Sequence, residues 1–251
     1  MLSSRIIRSL VLLNLFVAML WTAGASADGS STESKSPRAA LTEILQKLDY
    51  LPLNYAKEAA FLSTFYVALE ILAETDLPVV AQYAEMVPVD GAPQRYFAPS
   101  VKTPEKIVYW RYHGAPLVWP ENEPEPWIVD PFFARVPVKR SEWLKWLNPS
   151  EGEPHLAWAS AGNLVYNQAV RPNVGIQERS QIPSRANSAE ISSLDLNDTC
   201  GWIRDVIKVE PGLSEAEREA KTEKLIRRSE SLVEKLETKG LFPKGYGMDC
   251  W

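Results

Sequence analysis

Apolar and polar positions along this chain change period several times, and each change marks an element. Leu41, Ile44, Leu45 and Leu48 recur at three- and four-residue intervals behind Pro37, which predicts a short amphipathic helix. A longer helix is expected over residues 55–73, with Ala59, Leu62, Phe65, Tyr66 and Leu69 on one face and Asp76 and Pro78 as its stop. Residues 79–87 read as a strand, and Asp90-Gly91-Ala92-Pro93 as a turn. β-Branched and aromatic residues then dominate residues 107–119, a second strand on which Tyr109, Arg111, His113, Ala115 and Leu117 share one face. Pro116 has no N–H to give to a ladder, so this strand is expected to have an edge or a bulge there.

An acidic, proline-rich loop over residues 121–126 leads to Trp127-Ile128-Val129-Asp130, a short strand closed by Pro131. The two strands predict an antiparallel hairpin with a long loop, and Ser141-Glu142-Trp143-Leu144 then opens a helix. Residues 163–193 are polar and interrupted by Pro172 and Pro183, so they read as a long irregular connection. A short helix is expected over residues 202–209. Ser214 and Glu217 have the spacing of a capping box, from which a helix runs to about residue 239 with Leu225, Ser229, Leu232 and Leu236 in a stripe. Gly240 and Pro243 end it, and its many Glu, Lys and Arg residues read as a solvated face. The expected fold class is therefore α+β: N-terminal helices on a small antiparallel sheet, with a charged C-terminal helix.

The first residues add a processing signal. Arg5 and Arg8 precede an apolar run over residues 10–21, followed by Ala25-Ser26-Ala27, the small-x-small pattern of a cleavage site. The run is about a dozen residues long, against roughly 20 needed to span a bilayer core. Residues 1–27 are thus expected to be a cleaved signal peptide and 28–37 a flexible leader. Residues 38–150 would be the core, and 151–251 a C-terminal extension packed on it. The destination would be the periplasm or the outside of the cell, with no membrane association after cleavage. Without Arg5 and Arg8 the 27 basic side chains become 25 against 32 acidic ones, a net charge of −7. That balance argues against nucleic acid or an anionic membrane as partner, since both require a basic face.

Chemistry has few residues to draw on. There are two histidines, His113 and His155, and His155 sits in an expected exposed loop. No Cys-x-x-Cys, His-Glu-x-x-His, glycine-rich phosphate loop or Gly-x-Ser-x-Gly elbow is present, so neither a metal nor a cofactor is expected. The two cysteines, Cys200 and Cys250, form an even pair that in an exported protein reads first as a disulfide. A mid-strand His113 followed 17 residues later by Asp130 admits another reading. On neighbouring strands, Asp130 could orient the imidazole and leave its other ring nitrogen for a nucleophile. The same residues fit a packed histidine and a turn-starting aspartate.

The wording around the pair is more specific. Tyr109-Trp110-Arg111-Tyr112-His113-Gly114-Ala115-Pro116-Leu117-Val118 resembles the histidine strand of the bacterial protein-glutaminase family. Trp127-Ile128-Val129-Asp130-Pro131-Phe132-Phe133 is similar to its aspartate strand, and Pro137-Val138 and the Trp143 helix are similar to the proline and tryptophan beyond that strand in the family. The resemblance implies a papain-like core and a Cys-His-Asp hydrolase that deamidates glutamine side chains on proteins. His113 would be its general base, Asp130 the orienting group, and proteins or peptides with exposed glutamines the partners. Two departures stand out. In Asn54-Tyr55-Ala56-Lys57-Glu58-Ala59, Asn54 occupies the place of the family's cysteine, and Gly114 replaces a usual β-branched residue. An amide is no substitute for a thiolate nucleophile.

Three functions remain compatible with these residues. The first is a degenerate relative that binds proteins without turning them over. The second is an active hydrolase with a permuted His113-Asp130-Cys200 triad, Cys200 lying just ahead of its short helix. The third is a structural protein in which the strand wording is coincidence and His113 and Asp130 are out of hydrogen-bonding reach.

Overall fold

A computed structural model of the chain describes residues 35–52, 59–86, 97, 112–150, 152–160, 193–245 and 250. The expected signal peptide, the leader up to residue 34, Asn54, the turn at 90–93 and most of the irregular connection after 163 lie outside the described residues. Among the described residues there are five helices and five strands, a mixed α+β arrangement. The helices are α1 Pro37–Lys47, α2 Ala59–Glu74, α3 Arg140–Leu147, α4 Ser193–Val209 and α5 Glu215–Thr238. The strands are β1 Val79–Glu85, β2 Tyr112–Val118, β3 Trp127–Ile128, β4 Val138–Lys139 and β5 His155–Ser160. No described helix is long and apolar enough to cross a membrane.

Local chemistry accounts for the helix ends. The Ser36 hydroxyl accepts from the Ala39 N–H at 3.3 Å, and Pro37 takes the first turn, where its missing N–H costs nothing. The predicted capping box is formed: Glu217 N–H donates to the Ser214 hydroxyl, and the Glu217 carboxylate accepts from Ser214 N–H at 2.8 Å. At the other end of α5, Gly240 adopts φ 69°. Its N–H donates to the Glu237 carbonyl and that of Leu241 to the Leu236 carbonyl, the pair of bonds that closes a helix on a left-handed residue.

The strands form one antiparallel sheet in the order β4-β3-β2-β1-β5, so the expected β2–β3 hairpin is present. β5, from beyond residue 150, completes the sheet beside β1. Pro116 marks the expected edge: β1 pairs with β2 along its whole length, whereas β3 pairs only with Leu117 and Val118. The Pro116 carbonyl accepts from Val129 N–H at 2.9 Å, which puts its imino nitrogen on the β3 side of the strand. The second bond of that pair cannot form, and the β3 ladder ends one residue earlier at Ile128.

Side chains alternate between two cores. His113, Ala115 and Leu117 of β2, with Val80 and Ala84 of β1, face the layer of Trp143 and Leu147 from α3. Val79 and Val118 face the other layer, made by α1, α2, α4 and α5. Helix α2 differs from expectation. From Phe65 to Ala73 every side chain is buried, so this stretch has no solvent face. The sheet covers one side, and α1, α4 and α5 cover the rest.

One acid inside this helix needs a cation. Glu70, wholly buried, receives the Arg228 guanidinium of α5 through Nε at 2.6 Å and through a second nitrogen, and Tyr50 Oη at 3.0 Å. Arg228 also bonds Glu74 at 2.6 Å, as does Lys235, and Tyr66 shares a 2.6 Å bond with Ser229. Hydrogen bonds with Glu70 hold the Arg228 guanidinium still more firmly protonated than usual. Burial pushes the Tyr50 and Tyr66 phenols up.

Candidate functional site

Strand period places His113 on the α3 face of the sheet, and the end of β3 places Asp130 against it. His113 Nε2 and Asp130 Oδ2 are 2.7 Å apart, with both residues buried, at 0% and 2% exposure. The same oxygen accepts the indole Nε1–H of Trp143 at 2.8 Å. Oδ1 accepts the Phe132 backbone N–H at 3.0 Å. The Asp130 carbonyl accepts from Phe133 and Ala134, so the aspartate also starts a turn. One carboxylate thus serves a histidine, a tryptophan and a loop. The imidazole is walled by aromatic rings: Phe132 and Phe133 edge-on at centroid distances of 5.7 and 5.5 Å, and Trp143 tilted at 6.0 Å.

The third sequence candidate is not brought to this pair. Cys200 lies inside the 17-residue helix α4, and not just ahead of a short one. It is bridged to Cys250 across a Cα–Cα distance of 5.1 Å, with exposures of 0% and 5%. It packs with Leu196, Ile203 and Leu225 in the core on the opposite face of the sheet from His113. A sulfur in a disulfide offers no thiolate. The permuted His113-Asp130-Cys200 arrangement is therefore corrected on two grounds, bonding and position. His155 is exposed, but it opens β5 opposite Glu85 and is not on a loop.

Gly114 has a steric reason. A Cβ there would stand 2.7 Å from two ring carbons of Tyr83 and 3.0 Å from Thr64 Oγ1. Tyr83 is its partner across the β1–β2 ladder, so a buried ring takes the space that a side chain at position 114 would need.

Sequence reasoning placed Trp143 on a helix without assigning it a bond. The position of the tryptophan, one turn into a helix that comes after a turn-starting aspartate, was the available signal. The Glu70–Arg228 pair was also missed, although a lone acid within the apolar run Val67-Ala68-Leu69-Glu70-Ile71-Leu72 announces a buried partner. Among the described residues, no group of three or more His, Cys, Asp or Glu side chains is placed to hold a metal ion.

No family model, no curated protein and no solved structure matches this chain.

Proposed function

We propose that this is an exported protein-glutaminase-like domain with a papain-like core that has lost hydrolysis and acts as a protein- or peptide-binding module. The observation that carries the reading is the fate of the three side chains that amide hydrolysis would use. His113 and Asp130 keep a 2.7 Å contact of the kind that orients a general base. Cys200 is spent in a bridge to Cys250 on the other face of the sheet.

In deamidation a thiolate attacks the glutamine carboxamide carbon, the tetrahedral adduct expels ammonia as it takes a proton from the histidine, and water then cleaves the thioester. Without the sulfur the first bond cannot form. What is left, a histidine and an aspartate sealed by Trp143 and two phenylalanines, stiffens the join between β2, β3 and α3. The reading of the strand wording as coincidence required the two residues to be out of reach, and their contact counts against it.

The test is ammonia release from a denatured, glutamine-rich protein, comparing the wild-type chain with His113→Ala and Cys200→Ser. The expected result is no release above the enzyme-free blank from any of them. Release by the wild type that disappears in His113→Ala would overturn the loss of activity.

A further inference from the structure

Resting on the reading of this protein as a binding module, we infer that a groove beside the edge strand β4 binds an extended peptide combining basic residues with proline. The groove has a volume of about 850 Å³ and lies between the α2–β1 turn, the β2–β3 loop and the start of α3. None of His113, Asp130 and Trp143 is among its lining residues.

Its lining favours that chemistry. Trp119, Trp127 and Trp146 contribute indole surface, and Val136, an exposed apolar residue, sits among them. Pro78, Pro120 and Pro137 complete an apolar wall with few hydrogen-bonding groups of its own. Such a surface suits a polyproline-type segment, which exposes ring faces and has little conformational freedom to lose. The rim supplies the charge: Glu121, Glu123 and Glu142 stand against Arg38 and Lys139, with Asp76 already bonded to Lys239 at 3.1 Å. This excess of acids complements lysine or arginine, whose cations also bind over indole faces.

The groove is also built rather than incidental. Trp119 Nε1–H donates to the Glu123 carbonyl at 2.9 Å within the β2–β3 loop. That loop is fastened to the start of α3 by Arg140 N–H to the Pro126 carbonyl at 3.0 Å and by the Ser141 hydroxyl to Glu125 at 3.2 Å. A wall fixed before binding loses little entropy on binding.

The experiment titrates the full chain into a fluorescein-labelled nine-residue repeat of Pro-Pro-Arg, with the Pro-Pro-Glu repeat as control and anisotropy as readout. The expected result is saturable binding of the basic peptide in the micromolar to low millimolar range, weakening as salt is added, and none of the acidic one. Glu121→Lys with Glu142→Lys, both at exposed positions, should weaken it about fivefold or more while leaving the circular dichroism spectrum unchanged. No binding of the basic peptide, equal binding of both peptides, or indifference to the double reversal would overturn the proposal. So would tryptophan quenching by a neutral oligosaccharide that displaces the peptide. Ammonia release is scored separately, so a chain that binds the basic peptide and also deamidates keeps the groove and loses only the inactive reading.

Discussion

Trp143 donates its indole N–H to the same Asp130 oxygen that meets the His113 ring, at 2.8 Å on one side and 2.7 Å on the other. The carboxylate is therefore a junction between a strand, a loop and a helix, and substitutions at it should rank by how many donors they strand. Asp130→Ala deprives the imidazole, the indole and the Phe132 N–H of their acceptor. It should cost about 3 kcal/mol or more, because each buried donor left without a partner costs about 1–3 kcal/mol. Trp143→Phe keeps most of the ring and removes one donor, for about 1–2 kcal/mol. Urea unfolding of the purified variants gives the order. Equal losses from both would mean that packing of the tryptophan, and not the shared oxygen, holds the junction.

Gly114 and Tyr83 occupy one space between two strands. Gly114→Val should destabilise the fold by about 1–3 kcal/mol through overpacking. Because the clash is with a side chain, Tyr83→Ala should recover part of that loss in the double variant. A double-mutant cycle with no coupling would show that the ring is not the obstacle.

Arg228 joins α5 to the buried Glu70 of α2, and removing it leaves a carboxylate in the core. Arg228→Met should cost about 3 kcal/mol or more, as breaking a buried pair from one side does. A loss below about 1 kcal/mol, the range of surface pairs, would show that water reaches Glu70.

Acid should loosen the neighbouring contact of Glu74 with Arg228 and Lys235. Burial alone would raise the Glu74 carboxyl, but hydrogen bonds from Lys235 and Arg228 outweigh it and hold the group below its usual 4.5. A carboxyl depressed in the folded state contributes stability that is complete above its unfolded value and lost as pH falls through the folded one. The urea midpoint should drop below about pH 4.5, and the drop should be smaller in Lys235→Met. An identical acid profile in that variant would remove Glu74 from the account.

The Cys200–Cys250 bridge closes a 50-residue separation, worth about 4 kcal/mol in the chain-entropy model. Native protein should take up no alkylating label, and two labels after unfolding and reduction, read by intact mass. The Cys250→Ala variant should unfold at lower urea. Labelling of Cys200 in the native oxidised protein would contradict the bridge.

The parts of this fold that were legible in the sequence are those decided within a few residues. Ser36 with Pro37, Ser214 with Glu217, and Gly240 after a helical stripe act through the neighbouring backbone, so their spacing suffices. The period-two run of β2 put His113, Ala115 and Leu117 on one face for the same reason. Helix α4 is longer than its sequence suggests, because Asn197, Asp198, Thr199 and Gly201 are weak helix formers. Burial of Leu196, Cys200, Ile203 and Ile207 along one side overrides that weakness.

What the sequence determined by itself was therefore local: the caps of α1 and α5, the stop of α5, the period of β2, and that His113 and Asp130 could meet across a hairpin. Only the tertiary structure decided which face of the sheet each group occupies. It set Cys200 behind the sheet, buried α2 from Phe65 to Ala73 on every side, and gave Glu70 its guanidinium. Those outcomes depend on contacts between segments far apart in the chain, such as the 158 residues between Glu70 and Arg228. Periodicity shows that a side chain turns inward, but its neighbours there are set by how the layers stack.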